Sequence, residues 1–232
     1  MTFAWLEVYG HYFVWGTVIT ILLLFWSALL GFPLAVLLGL GRISRNPLVN
    51  GPCLAVTSVI RGTPLLVQIY VIYYGLGDVF GRTPWIRQSF VFPYLRDAFW
   101  YVVVALTIST GAYVGEIIRG ALLAVPRGEI EAARAYGFHG WPLLRRVWLP
   151  RALQSILPTL AGETVLLLKA TALGSVVTIV DVLGAAGVVK AQTYRVYEPL
   201  LLAAVIYYLI TMVIEYGFRR LERRYARAYR AA

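Results

Sequence analysis

Residues 12–41, YFVWGTVITILLLFWSALLGFPLAVLLGLG, contain no Asp, Glu, Lys or Arg. About 20 apolar residues are enough for a helix to cross the hydrocarbon core of a bilayer, so this run spans one with residues to spare. A first span is placed at about Trp15 to Leu40. The segment ahead of it lacks Lys and Arg, and the apolar stretch exceeds the h-region of a signal peptide. It therefore reads as a retained helix.

The rest of the chain has the same character. Of its 232 residues 60% are apolar and 14% charged, with a mean hydropathy of +0.73. That composition excludes a water-exposed fold and a disordered chain alike. The net charge of +10 lies between apolar runs rather than in one patch, which removes the nucleic-acid reading. Cys53 is the only cysteine, and His11 and His139 are the only histidines; neither a disulfide within the chain nor a thiolate or paired-imidazole metal motif is available. Lys169 and Lys190 follow Leu168 and Val189, so the Gly-Lys-Ser/Thr core of a phosphate-binding loop is missing. A nucleotide, if one is used, binds to another subunit.

Further apolar stretches complete an all-α, integral membrane reading with five transmembrane helices in a single domain over residues 1–232. The second span runs from about Leu54 to Leu76, interrupted by Arg61 and Pro64. A third lies between Asp97 and Arg119, and a fourth between Arg151 and Val189, tilted or broken near Thr171 to Ser175. The last covers Pro199 to Phe218. Five crossings put the termini on opposite sides. With the C-terminus inside, 14 of the 21 Lys and Arg residues fall on the cytoplasmic side, five outside, and Arg61 and Lys169 within spans, as the positive-inside rule requires. The basic tail, 219–232, reads as a topology anchor. Trp5, Trp15, Trp85 and Trp100 are expected at the outer headgroup region.

The loop 126–150 carries the most information. Pro126 and Gly128 end a membrane helix, and Glu129 to Tyr136 is rich in helix formers with acids in the first turn. Gly137 offers a left-handed stop. A short helix with Ala132 and Ala133 between the knobs of Ile130 and Tyr136 suits docking into a partner's groove; on spacing alone a helix lying on the bilayer is an equal alternative. The full pattern is Glu131-Ala132-Ala133, three residues, Gly137, nine residues, Val147, one residue, Leu149-Pro150. It resembles the cytoplasmic signature loop of ABC-importer permeases, with Val147 where isoleucine is more usual.

The resemblance extends to Arg61-Gly62-Thr63-Pro64-Leu65-Leu66-Val67-Gln68, Ala112-Tyr113 followed by Glu116, Val125-Pro126-Arg127-Gly128, and Leu168-Lys169-Ala170-Thr171-Ala172-Leu173, motifs similar to those of the polar amino-acid branch. It implies a permease, not an enzyme, for histidine, lysine, arginine, ornithine or opines in a bacterial inner membrane. It also implies a coupling helix bearing Glu129, Glu131, Ala132, Ala133, Tyr136 and Gly137, and a substrate site near Glu163, Lys169 and Thr171. The partners implied are an ATPase dimer holding ATP-Mg, a second permease that is a homologue rather than a copy, and a periplasmic binding protein. This chain itself holds no cofactor.

Charges within the spans need partners or a wet path, since each costs on the order of 2.5–3.5 kcal/mol at the bilayer centre on insertion scales. Glu163 and Lys169 sit about 240° apart on an ideal helix. Either both face a translocation cavity, with Glu163 neutralising a substrate cation and Lys169 attracting a carboxylate, or each pairs with a neighbouring helix. Ala170 stands where the branch often has an acid, which weakens the case for a cationic substrate. Arg61, Gly62 and Pro64 form a hinge, a gate or a static kink. Glu116 and Arg119 form an i, i+3 pair, Asp181 a solvated cap or gate contact, and His139 an exposed loop position. The rival to a permease is an ion-coupled secondary carrier in which Glu163 and Asp181 titrate. No nucleophile–base constellation supports an intramembrane enzyme.

Overall fold

The uncharged run lies inside one 40-residue helix, α1 (Ala4–Ile43). The computed structural model describes residues 4–90 and 92–230; the side chains of residues 4 and 225–230, including Arg227 and Arg230 of the charge tally, lie outside the described residues. Seven more helices follow: α2 (Pro47–Gly62), α3 (Leu65–Arg82), α4 (Ala98–Ala124), α5 (Arg127–Ala135), α6 (Leu157–Thr171), α7 (Val182–Thr193) and α8 (Tyr197–Arg230). Local chemistry sets several starts. Asn46 accepts from the Leu48 amide ahead of Pro47, and Asp97 accepts from that of Phe99, both ordinary N-caps.

The frame of the bundle is α1 against α4. A Cβ added to Gly39 would stand 2.9 Å from the Gly115 carbonyl oxygen and 3.0 Å from Ile118 Cγ2, and one added to Gly111 would stand 2.7 Å from Leu34 Cδ2. The two backbones therefore meet where side chains are missing, which in lipid is the main way for helices to gain dispersion contact. Trp26 packs on Trp100, Gly31 faces Thr110 and Gly39 faces Gly115. Residue numbers rise together, so α1 and α4 run parallel. The chain between them must return from the Arg42 end to the Asp97 end, and α2–α3 makes that return.

The return is not a straight helix. α2 and α3 are bent by 108° at Thr63–Pro64. Thr57 and Arg61 on α2 meet Glu116 and Tyr113 on α4, so α2 slants across one end of the bundle. Tyr73 on α3 meets Tyr101, so α3 climbs to the other. The bent pair is thus one traverse, and with α1, α4, α6 and α8 it makes five. α6 descends against α4, with Leu167 packed among Leu106 and Val103 and Leu160 among Val114 and Ile118. α8 carries the chain back from the cluster of Ala203 and Trp5 to Phe218 beside Ile156.

Several expectations are corrected. The fourth apolar stretch is not one crossing: a 3₁₀ extension of α6, Ala172–Val177, ends at Thr178 with φ +72°, and the chain turns into α7. At 12 residues, α7 is about 18 Å long, too short for a hydrocarbon core of about 30 Å. It packs on the outer halves of α1 and α8. Asp181 caps it through the Gly184 amide, but the carboxylate is fully buried and accepts from Tyr207, so the cap is not solvated. Trp5 is no headgroup anchor, since it is buried with Phe13 and Val182, and Trp100 packs on Trp26. Trp15 and Trp85 are exposed.

Gly39→Leu is expected to wedge α1 from α4 and lower unfolding stability by about 1–3 kcal/mol, whereas Gly120→Leu, on the same frame with no atom within 4 Å of an added Cβ, changes it little. Equal losses in SDS-unfolding titrations of the two variants would show that close approach at Gly39 does not matter.

Candidate functional site

The helix expected at Glu129 to Tyr136 is α5, and Gly137 closes it with φ +86°. The Gly137 amide bonds to the Arg134 carbonyl and that of Phe138 to the Ala133 carbonyl, satisfying carbonyls that a helix end leaves open. Ala133 is buried beneath α5, while Glu131, Ala132 and Tyr136 are exposed, Tyr136 to 86%. Glu129 does not join that outer face. Its carboxylate receives Arg151 twice, Nε to Oε2 at 2.9 Å and Nη2 to Oε1 at 3.0 Å. A two-pronged guanidinium–carboxylate pair fixes orientation as well as distance. Arg151 belongs to the short helix Leu149–Ser155, which leads into α6. Trp148, just before it, donates from its indole to the Leu122 carbonyl at 2.8 Å. The exposed face of α5 is thereby tied to the base of α6.

Glu163 and Lys169 both line a cavity of about 640 Å³ between α6 and α8, together with Glu215, Phe218, Arg219 and Glu222. Glu163 also borders a smaller hollow of about 220 Å³ against α4, with Ser109, Thr110 and Tyr113. Among the described residues neither Glu163 nor Lys169 has an ion-pair partner within 4.0 Å, while Glu215 is held by Arg219 at 3.2 Å. A half-buried carboxylate between two cavities, without its own counter-ion, offers a position for a ligand cation. Thr171 is elsewhere. It is fully buried, donates to the Leu168 carbonyl at 2.7 Å and lines neither cavity.

At the α2–α3 bend, Arg61, Gly62 and Pro64 are all exposed. The Arg61 guanidinium lies 5.7 Å from the centre of the Tyr113 ring, a cation–π distance, and its carbonyl accepts from the Tyr113 hydroxyl at 3.4 Å. Breaking a helix at Pro64 frees carbonyls that lipid cannot satisfy. Gln68, one turn into α3, supplies the donor: its Nε2 reaches the Ile60 carbonyl at 2.7 Å, the Thr63 carbonyl at 3.1 Å and the Thr63 hydroxyl at 3.0 Å. The break itself was legible in Pro64. Its clamp was not, although a Gln four residues after a membrane proline is a signal.

Glu116 does more than pair with Arg119. Arg119 donates to its Oε2 at 2.7 Å and Arg42 to its Oε1 at 2.8 Å, and Arg42 also reaches Asn50 Oδ1 at 2.6 Å. One carboxylate on α4 thus ties down α1 and the start of α2. No group of three or more His, Cys, Asp or Glu side chains suited to a metal ion is found among the described residues.

Residues 31–227 match the family of binding-protein-dependent transport system inner membrane components. The chain belongs to this family. Its curated relatives include the octopine transport system permease protein OccM of Rhizobium radiobacter, 40% identical over 218 residues that cover 90% of this chain and 87% of the relative. The histidine/lysine/arginine/ornithine transport system permease protein HisM of Salmonella typhimurium is 41% identical over 212 residues, 90% of this chain and 88% of the relative. Among solved structures, an amino acid ABC transporter with histidines superposes with a TM-score of 0.81 at 33% identity, covering 97% of this chain and 99% of the other. The MetNI methionine transporter shares the fold, with a TM-score of 0.71 at 22% identity. A transport component that depends on a binding protein is neither an enzyme nor an autonomous ion-coupled carrier, so the rival reading falls.

Replacing Gln68 with Leu should leave the Ile60 carbonyl unpaired, at about 1–3 kcal/mol for a buried acceptor, and speed amide hydrogen exchange across residues 60–68. Unchanged exchange would mean that the bend in this permease-family chain is held by something other than Gln68.

Proposed function

We propose that this chain is the membrane-spanning permease subunit of an ATP-driven importer of polar amino acids or opines, cationic ones above all. The observation that carries the reading is the exposed face of α5, Glu131, Ala132 and Tyr136, joined to the base of α6 through the Glu129–Arg151 pair. α6 bears Glu163 and Lys169. An ATPase dimer that holds ATP-Mg takes α5 in a surface groove, its closure displaces α5, and α6 follows, opening the cavity around Glu163 alternately to either side. In this reading Glu163 meets the substrate's cationic end and Lys169 its carboxylate, while Thr171 acts from behind by packing.

The partners in this reading are that ATPase dimer, a second permease homologous to this one, and a periplasmic binding protein that delivers the amino acid. The Lys and Arg tally supports an N-terminus in the periplasm and a C-terminus in the cytoplasm of a bacterial inner membrane, and five traverses of the bundle agree with termini on opposite sides. α5 then lies on the cytoplasmic side, where ATP is. The bend at Arg61, Gly62 and Pro64 serves as the hinge of the α2–α3 traverse.

Two experiments in proteoliposomes bear on this. Gly137→Asp forces φ +86° onto a residue with a Cβ and adds a charge to the docking face; uptake should fall at least tenfold while ATP hydrolysis and membrane insertion persist. Normal uptake by that variant would remove the coupling role of α5. Glu163→Gln should lower uptake of lysine and arginine by on the order of tenfold or more, as loss of a charge-assisted contact does, and leave glutamine uptake nearly unchanged. Equal losses for all three amino acids would take the counter-ion role from Glu163.

A further inference from the structure

The last turns of α8 have two unlike faces. Glu215, Phe218, Arg219 and Glu222, three or four residues apart, look into the cavity shared with Glu163. The other face bears cations alone. Gly217, Arg220, Leu221, Arg223 and Arg224 border a separate surface hollow of about 640 Å³ that holds no acid. Among the described residues no carboxylate lies within 4.0 Å of Arg220, Arg223 or Arg224. Arg220 lies over the Tyr216 ring, 4.7 Å from its centre, which holds the guanidinium at the end of the apolar part of the helix.

The same face continues away from the arginines as a stripe. At about 100° per residue, Leu209, Val213 and Tyr216 fall in line with Arg220, and all three are more than half exposed. Almost none of α8 is buried by the chain itself. Gly217 has no atom within 4 Å of an added Cβ and leaves open space beside Arg220 and Arg224. An apolar stripe that ends in three unpaired guanidiniums matches a molecule with a hydrocarbon tail and an anionic head. Guanidinium takes phosphate in a forked, two-bond geometry that ammonium does not reproduce.

We propose that this face of α8 is a binding site for an anionic phospholipid of the cytoplasmic leaflet, its phosphate held by Arg220, Arg223 and Arg224 and its acyl chain along Tyr216, Val213 and Leu209. The leaflet assignment rests on the orientation given under Proposed function; the site chemistry does not. Anionic headgroups concentrate on that leaflet and reward each nearby arginine, so the site also fixes the depth of α8 beside the cavity it shares with α6.

The test uses the transporter complex purified through this chain and followed by native mass spectrometry with added phosphatidylglycerol or phosphatidylcholine. Phosphatidylglycerol should be retained over phosphatidylcholine, and millimolar inorganic phosphate should not displace it. The triple variant Arg220→Gln, Arg223→Gln, Arg224→Gln should weaken that retention by roughly 100-fold, about fivefold per arginine. The triple Arg→Lys variant keeps the charge needed for insertion and should bind at an intermediate level. Arg145→Gln with Arg146→Gln, remote basic positions, should bind as the unmodified chain does.

Equal retention of the two lipids would overturn the proposal, as would displacement by phosphate alone or an equal loss in the remote variant. A complex whose partner subunit covers the arginines and excludes lipid would overturn it too. The orientation has its own readout. A C-terminal tag reachable only from outside the cell would sink the leaflet assignment and the orientation together, while lipid selectivity in the purified complex still decides the arginine site.

Discussion

The parallel contact of α1 with α4 is the constraint on which the other elements depend. Two helices that leave the same side of a bilayer and are joined by 54 residues force a return traverse between them. Glycines at 31, 39, 111 and 115 bring their backbones so close that the pair has one register, and the Glu116 carboxylate locks it at one end by gripping Arg42 and Arg119. Such a cluster is costly to desolvate and destabilising to break, so it acts more as a register pin than as a source of net stability.

Upon that frame the moving parts are hung differently. α2 shares the Glu116 cluster through Thr57 and through Asn50 on Arg42, then turns by 108° into α3, with only Gln68 clamping the freed carbonyls. α6 lies between α4 and α8 with cavities on both sides at Glu163. α7 closes the Asp97 end, pinned by Thr20 on the Val182 amide and by Tyr207 on Asp181. Rigidity is concentrated at the α1–α4 seam, and open volume beside α6. A lever pulled from α5 would meet least resistance there.

Much of this was legible in the chain. The charge-free run gave way to a helix, the Pro126–Gly137 punctuation to α5 with its left-handed close, and Pro64 to a break. The misses have physical causes. Apolar composition says that a segment avoids water but not whether it turns, so residues 157–193 read as one crossing until Thr178 reversed it. Trp5 looked like an interfacial ring because burial against α7 depends on that reversal. Glu116 looked like a local pair because Arg42 is 74 positions away. A signal for the seam was present, since Gly111 and Gly115 have the four-residue spacing that lets membrane helices touch, yet nothing in one sequence names α1 as the partner. Likewise, the spacing of Glu163 and Lys169 says they do not stack, but not that one cavity reaches both.

The account as a whole holds that α5 and α6 move as one lever against a fixed α1–α4 frame. Spin labels at exposed Ala135 on α5, Leu166 on α6 and Leu37 on α1, placed in the assembled transporter, give the relevant distances with and without ATP. The account predicts that the 135–166 distance is preserved while the 37–166 distance changes with nucleotide. A 135–166 distance that changes while 37–166 stays constant would contradict it, because the displacement of α5 would then stop short of the helix that carries Glu163.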